Sequence, residues 1–291
     1  MSRWLGSALV GHRLRVELRP ASVWLGRAGV IARRSEPSGR AIEVDTGTAN
    51  RADAPELWRA AVDVFARALR EARGRPGRVE IVLSDHFVRY LLIPWSEGLV
   101  GDNERLGFAR LTFRDVYGHL ADTWDLCLDE QPAGRAFFAS AMDRSLVASL
   151  REVVARAGGT LAALSPALAD RINRHRVALK APEFCLAAAE PGRISLAFHS
   201  RAGWQAVRSR RIDGPLPDTL PTLLKQEAVV GPATGGGVLY LCADHLAEVP
   251  PFPVPGWRLV RLADSGFAAR PASDLALAAG GGSTATSIQR L

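Results

Sequence analysis

Apolar and polar positions alternate most sharply over residues 77–95, GRVEIVLSDHFVRYLLIPW. Val79, Ile81 and Leu83 alternate with Glu80, Val82 and Ser84, which predicts a strand with one apolar face. Ser84, Asp85 and His86 interrupt it with side chains that bond their own backbone and favour turns. A second β-branched and aromatic run follows over residues 87–93, and Pro94, which cannot donate to a ladder, ends it. Helical patterns lie on either side, so this strand pair is expected at the centre of a layered α/β domain.

Upstream, Leu14, Val16 and Leu18 alternate with charged residues, and residues 22–25, 29–33 and 41–44 offer further short strands: a meander before the first helix. That helix has an N-terminal signature in Asp53, Pro55 and Glu56. Trp58, Ala61, Val62, Phe65, Leu69 and Ala72 form its apolar stripe. After the central pair, Asp102 is placed to cap a second helix with Leu106, Ala109, Phe113, Val116 and Leu120 as its buried stripe. Two strands at residues 124–128 and 135–141 come next, then a helix capped by Asp143 and ended by Gly158 and Gly159. A short strand at residues 161–164 makes residues 135–164 read as a β-α-β crossover. A helix from Ser165 to about Arg174 closes the first half.

The second half repeats the theme. Residues 184–189, 194–200 and 204–212 read as three strands separated by hairpin-like turns, followed by a helix over residues 217–229 and strands at 238–242 and 257–262. The tail from residue 278 is rich in Gly, Ser and Thr and reads as frayed.

Composition changes the picture little: 47% hydrophobic and 23% charged residues are ordinary for a globular protein. There is no run near the ~20 apolar residues that a membrane span needs, and the N-terminal apolar stretch, cut by Gly11, His12 and Arg13, is too short for a signal peptide. The net charge of +7 rests on 37 basic residues, nearly all arginine and scattered along the chain. Nucleic-acid binders concentrate charge on one face, so nucleic acid is not an expected partner. Cys127, Cys185 and Cys242 each sit in an apolar run, without ligand spacing, and a reducing cytoplasm is the simplest compartment.

A meander, then a helix, then further strands and helices, given twice, is similar to the ribonuclease-H-like half-domain pattern, and two such halves resemble the actin-like ATPase architecture. SDHFVRYLLIPW with its following capped helix, then DTWDLCL, and ISLAFHSRAGWQAVRSRRI in the second half, resemble the PilM-type and GspL-type proteins of type IV pilus and type II secretion assembly platforms. The resemblance implies an α/β chain of two tandem lobes with mixed sheets flanked by helices: residues 1–178, residues 179–279, and a flexible tail at 280–291. It also implies a non-catalytic scaffold, cytoplasmic and peripheral to the inner membrane, that captures a short cytoplasmic segment of a membrane partner.

Actin-like ATPases grip phosphate at a turn after the first strand, and metal and phosphate need an acid and close backbone approach there. The first-half turn is Arg19-Pro20-Ala21-Ser22, and the second-half equivalent is taken as Ser200-Arg201-Ala202-Gly203. Neither carries an acid, so a degenerate nucleotide site is expected, with no cofactor, metal or catalytic residue. The alternative is a working ATP-binding member of the superfamily or a small-molecule kinase.

Ser84, Asp85 and His86 are adjacent on one corner and cannot form a nucleophile relay, so they read as turn residues. Asp125 and Asp129 read as solvated strand acids. The candidate partner-binding residues are Arg89, Tyr90 and Trp95 in one cluster and Trp204 with Arg208 in another, since Arg and aromatic side chains anchor such interfaces.

Overall fold

The computed structural model describes residues 13–28, 39–44, 57–72, 74–99, 101–231, 236–243, 252–262 and 287–288. The strand expected over residues 29–33 and the capping signature at Asp53 to Glu56 lie outside the described residues.

The first half builds a five-stranded sheet. β1 (Arg13–Leu18) pairs antiparallel with β2 (Ser22–Ala28), which pairs with β3 (Gly39–Glu43). On its other side β1 runs parallel to β4 (Arg78–Leu83), and β4 runs parallel to β8 (Thr160–Pro166). The period-two alternation of β1 sends Leu14, Val16 and Leu18 into the core, where α1 (Arg59–Glu71) and α3 (Arg144–Arg156) contribute Phe65, Leu69, Leu146 and Leu150. The opposite face of β1 carries Arg15 and Glu17, and α4 (Ala167–His175) lies against it through Asp170. Asp143 caps α3, its side chain accepting from the Ser145 N–H at 2.7 Å.

Between β4 and β8 the chain builds a second sheet. β5 (Val88–Ile93) and β6 (Trp124–Glu130) both pair antiparallel with β7 (Phe137–Asp143), and the two-residue strand β14 (Ser287–Ile288) pairs with the free edge of β6. α2 (Asp102–Tyr117) covers one face of this sheet through Ala109 and Phe113, which meet Ile93, Phe137 and Ala139. The other face, with Val88, Phe138 and Met142, joins the main core. Two of the sequence expectations are corrected by these sheets. β4 and β5 do not pair; the corner between them carries the chain from one sheet to the next. β7, α3 and β8 are not a crossover within one sheet, because β7 bonds to β5 and β6 whereas β8 bonds to β4.

The second half repeats the plan of the first. β9 (Phe184–Glu190), β10 (Arg193–Ser200) and β11 (Gly203–Arg211) form an antiparallel meander. β12 (Gly237–Cys242) then runs parallel to β9, and β13 (Trp257–Arg261) parallel to β12. The sheet orders β3-β2-β1-β4-β8 and β11-β10-β9-β12-β13 therefore match strand for strand. α5 (Leu216–Val230) packs Leu220 and Leu224 on Cys185, Ala187 and Ala189. The alternate residues of β9, Phe184, Leu186 and Ala188, face the first half and belong to its core. The same period of two delivers Glu190 to the seam between the halves.

α2 departs from its expected stripe. Val116 and Leu120 are 56% and 55% exposed, alongside Phe108 and Leu111. The helix packs through Ala109 and Phe113, four apart, with Tyr117 continuing the row. Gly118, at φ 66°, then starts a 3-10 turn over Gly118–Thr123 that breaks the helical period before Leu120.

Candidate functional site

Because β9 is the counterpart of β1, the second-half counterpart of the Arg19–Ser22 turn is Glu190-Pro191-Gly192-Arg193, not the Ser200–Gly203 turn, which joins β10 to β11. This corrects the sequence assignment. The true second turn does contain an acid and a glycine, and Gly192 uses its freedom at φ 76° to close the hairpin. The sequence marks all three strands of this meander but not which of its two hairpin turns answers to the first-half turn, because residues 184–189, FCLAAA, lack the alternation of β1: β9 is buried on both faces.

The turn does not open into a cleft. It docks on the Ser84-Asp85-His86 corner of the first half. The Ser84 hydroxyl donates to Glu190 Oε2, and His86 Nε2, taken as the protonated nitrogen, donates to the Pro191 carbonyl at 2.9 Å. Arg171 of α4 donates from Nη1 to Glu190 Oε1 at 3.2 Å and lies 3.9 Å from Asp85 Oδ2. Asp85 Oδ1 accepts from the Tyr90 hydroxyl at 2.6 Å and from the Leu168 N–H at 3.1 Å. That last bond supplies an acceptor to the first turn of α4, whose N-cap residue, Pro166, makes no side-chain cap.

Asp85, Arg171 and Glu190 are nearly inaccessible, so two carboxylates share one guanidinium in a buried seam. Burial, and next the charge of Glu190, push the Asp85 carboxyl up to about 6, against the pull of Arg171 and of hydrogen bonds from Tyr90 and Ser195. Burial also lowers the His86 pKa, and the charge of Arg193 adds to it, which favours the neutral imidazole that donates to Pro191. The Tyr90 hydroxyl is raised, by burial first and by Asp85 second.

Outside this knot the β1 face of the cleft is also crossed by ion pairs. Arg15 reaches Asp170 at 2.5 Å, Arg174 bonds the same carboxylate, and Arg19 bonds Glu17. Burial alone would raise Asp170, but the two arginines outweigh it and hold its carboxyl below the usual range. The cavity left among Glu17, Arg19, Ser84, Asp170, Arg171 and Glu190 measures about 20 Å³, room for about one water.

The two clusters proposed for a partner come together, since β5 lies alongside β11. Their side chains do not share one fate. Tyr90 and Trp204 are buried, which corrects the expectation that they offer surface. Tyr90 holds Asp85, and Trp204 packs on Phe138 with centroids 4.8 Å apart and edge-on to Phe184 and His199. Arg208 pairs with the buried Glu227 at 3.2 Å. Arg89 and Trp95 are half-exposed, and Arg89 donates to the carbonyls of His86 and Val88. Among the described residues no group of three or more His, Cys, Asp and Glu is placed to hold a metal ion, and no helix is long and apolar enough to cross a membrane.

No family profile matches the chain, and no curated protein does. Solved structures match along most of its length. The cytoplasmic domain of EpsL, an inner membrane component of the type II secretion system of Vibrio cholerae, superposes with a TM-score of 0.52 at 12% identity, over 88% of this chain and 91% of that one. A chain of a PilM–PilN type IV pilus biogenesis complex gives 0.57 at 15% identity, over 80% and 81%. A Bacteroides thetaiotaomicron protein described as having an actin-like ATPase fold and unknown function gives 0.53 at 13% identity, over 83% and 84%. The duplicated sheet order and these superpositions agree: the chain has the actin-like ATPase fold.

Proposed function

We propose that this chain is a non-catalytic scaffold of a type IV pilus or type II secretion assembly platform. It works on the cytoplasmic side of the inner membrane and holds a short cytoplasmic segment of a membrane partner. The observation that carries the reading is the occupied cleft. Where two lobes of this fold could admit a nucleotide, Glu190, Arg171, Ser84 and Asp85 bond one another and about 20 Å³ remains. The likeness to EpsL and to the PilM–PilN complex supports the choice of machine, and the half-exposed Arg89 and Trp95 beside the β5–β11 junction supply groups suited to a peptide.

The test is calorimetric titration of the full chain with synthetic peptides of the cytoplasmic segments of membrane proteins encoded beside it, together with Mg-ATP. Saturable binding of one peptide and no stabilisation by millimolar Mg-ATP are expected. Stabilisation by Mg-ATP with no peptide bound overturns the reading. That outcome belongs to the second reading, an ATP-binding member of the fold, which the acid and glycine of the Glu190–Gly192 turn favour.

A further inference from the structure

A hydroxyl, a guanidinium and a helix N-terminus are the groups proteins use to hold an oxyanion. Ser84, Arg171 and the first turn of α4 bring all three to the seam, and the anions they meet are the chain's own. Asp85, local to the corner, takes the Leu168 N–H, whereas Glu190, reaching in from β9, takes the Ser84 hydroxyl and an N–H of the Arg171 guanidinium. The two donors to Glu190 belong to the first half and the acceptor to the second. The carboxylate thus enters the first half as a ligand would.

We propose that Glu190 is a built-in anionic ligand: a carboxylate receptor formed by Ser84 and Arg171 in the first half is filled by the second half, and this contact locks the two five-stranded sheets together. His86, donating to Pro191, holds the loop that carries the plug. The inference deepens the scaffold reading, since a lock of this kind gives the partner one fixed surface to bind. It does not depend on which partner is captured.

Carboxylate rescue tests it in the full chain. Glu190→Ala empties the receptor, and thermal unfolding at pH 7 is followed in sodium acetate and in sodium chloride at matched ionic strength. The variant is expected to melt at least about 5 °C below wild type in chloride. Acetate at tens of millimolar then restores about 3 °C or more to the variant and nothing to wild type. A variant melting within about 1 °C of wild type, or responding to acetate no more than wild type does, overturns the proposal. Should Glu190→Ala fail to fold, Glu190→Asp keeps it testable. The shorter carboxylate retains its charge but falls short of Ser84 and Arg171, and a melting temperature equal to wild type's sinks the lock. Failure of the peptide titration, by contrast, removes the scaffold and leaves these melting temperatures as they are.

Discussion

Arg171 on α4 sets its Nη1 3.2 Å from Glu190 Oε1 at the end of β9, with 4% and 1% of the two residues exposed. It is also the cation that faces Asp85. A lone buried carboxylate is costly, and a buried pair is stable only while both partners remain. Arg171→Met would leave two acids facing each other across a buried seam. We expect it to lower stability by about 3–5 kcal/mol in denaturant unfolding at pH 8. The loss should shrink at pH 5, where Asp85, its carboxyl raised to about 6, can take up a proton. An equal loss at both pH values would show that the side chain matters only by its volume.

Asp129 is a further buried acid, on a different sheet. It lies on β6, 4% exposed, with Gln131 Nε2 donating to Oδ2 at 2.8 Å, and burial pushes its carboxyl up to about 7. An unfolded aspartate has a lower pKa, so between roughly pH 4 and 7 the folded chain binds the extra proton. Folding is then favoured at the acid end of that window and loses stability as pH rises through it. Asp85, raised to about 6, acts in the same sense. Asp129→Asn keeps an acceptor for Gln131 and removes the ionisation. The fall in unfolding free energy from pH 5 to pH 8, read from denaturant titrations, should be smaller in this variant than in wild type, by an amount on the order of a few kcal/mol.

The sequence announces elements better than it announces which of them meet. Helix α3 is legible because Asp143, the 3.6-residue stripe and Gly158 all agree, and the meander of β9 to β11 because Gly192 and Gly203 mark its turns. Sheet membership is not legible: nothing local to residues 79–93 says that β4 and β5 part company, since each strand is apolar enough to enter either core. The seam was missed for a related reason. Ser84, Asp85 and His86 have the composition of a turn and do form one, and their second role depends on Glu190, more than a hundred residues away. An acid at the end of a run as apolar as residues 184–189 was the available signal, because a strand buried on both faces leaves its last polar side chain no route to water. Asp129, beside Cys127 and Leu128, gave the same sign.

On α2 the sequence stripe and the packed stripe differ, and mutation separates them. Phe113 is fully buried against Tyr117 and Trp124, with centroids at 5.9 and 6.3 Å, whereas Leu111 is 60% exposed. Phe113→Ala should cost about 3–5 kcal/mol. Leu111→Ser and Val116→Ser should each stay within about 0.5 kcal/mol of wild type in urea unfolding. A large loss from Val116→Ser would restore the buried stripe that its spacing suggests.

Gly192 is the hinge of the plug-bearing turn, and its φ of 76° is the left-handed region. A Cβ there would meet only His86 Cε1 at 3.8 Å, ordinary contact. Gly192→Ala therefore tests backbone strain alone and should cost about 1 kcal/mol. Gly159→Ala differs in kind: its Cβ would come 2.7 Å from the Pro76 carbonyl oxygen, so the strand start must shift. A larger loss at Gly159 than at Gly192 is expected in parallel thermal melts, and the reverse order would mean that the turn is held more tightly than its contacts indicate.

The residues proposed for partner binding divide by burial, and so should their variants. Arg89 and Trp95 are half-exposed, and Arg89→Ala or Trp95→Ala should weaken a bound peptide about tenfold or more while leaving the melting temperature near wild type's. Tyr90→Phe removes the hydroxyl that donates to the buried Asp85 and should cost about 1–3 kcal/mol of stability. Trp204→Ala opens the aromatic cluster with Phe138 and Phe184 and should cost about 3–5 kcal/mol. Peptide affinity, measured where each variant is fully folded, then decides between surface and scaffold. An undiminished affinity in Arg89→Ala and Trp95→Ala, with a loss in Trp204→Ala, would move the docking surface from the rim of β5 to the junction with β11.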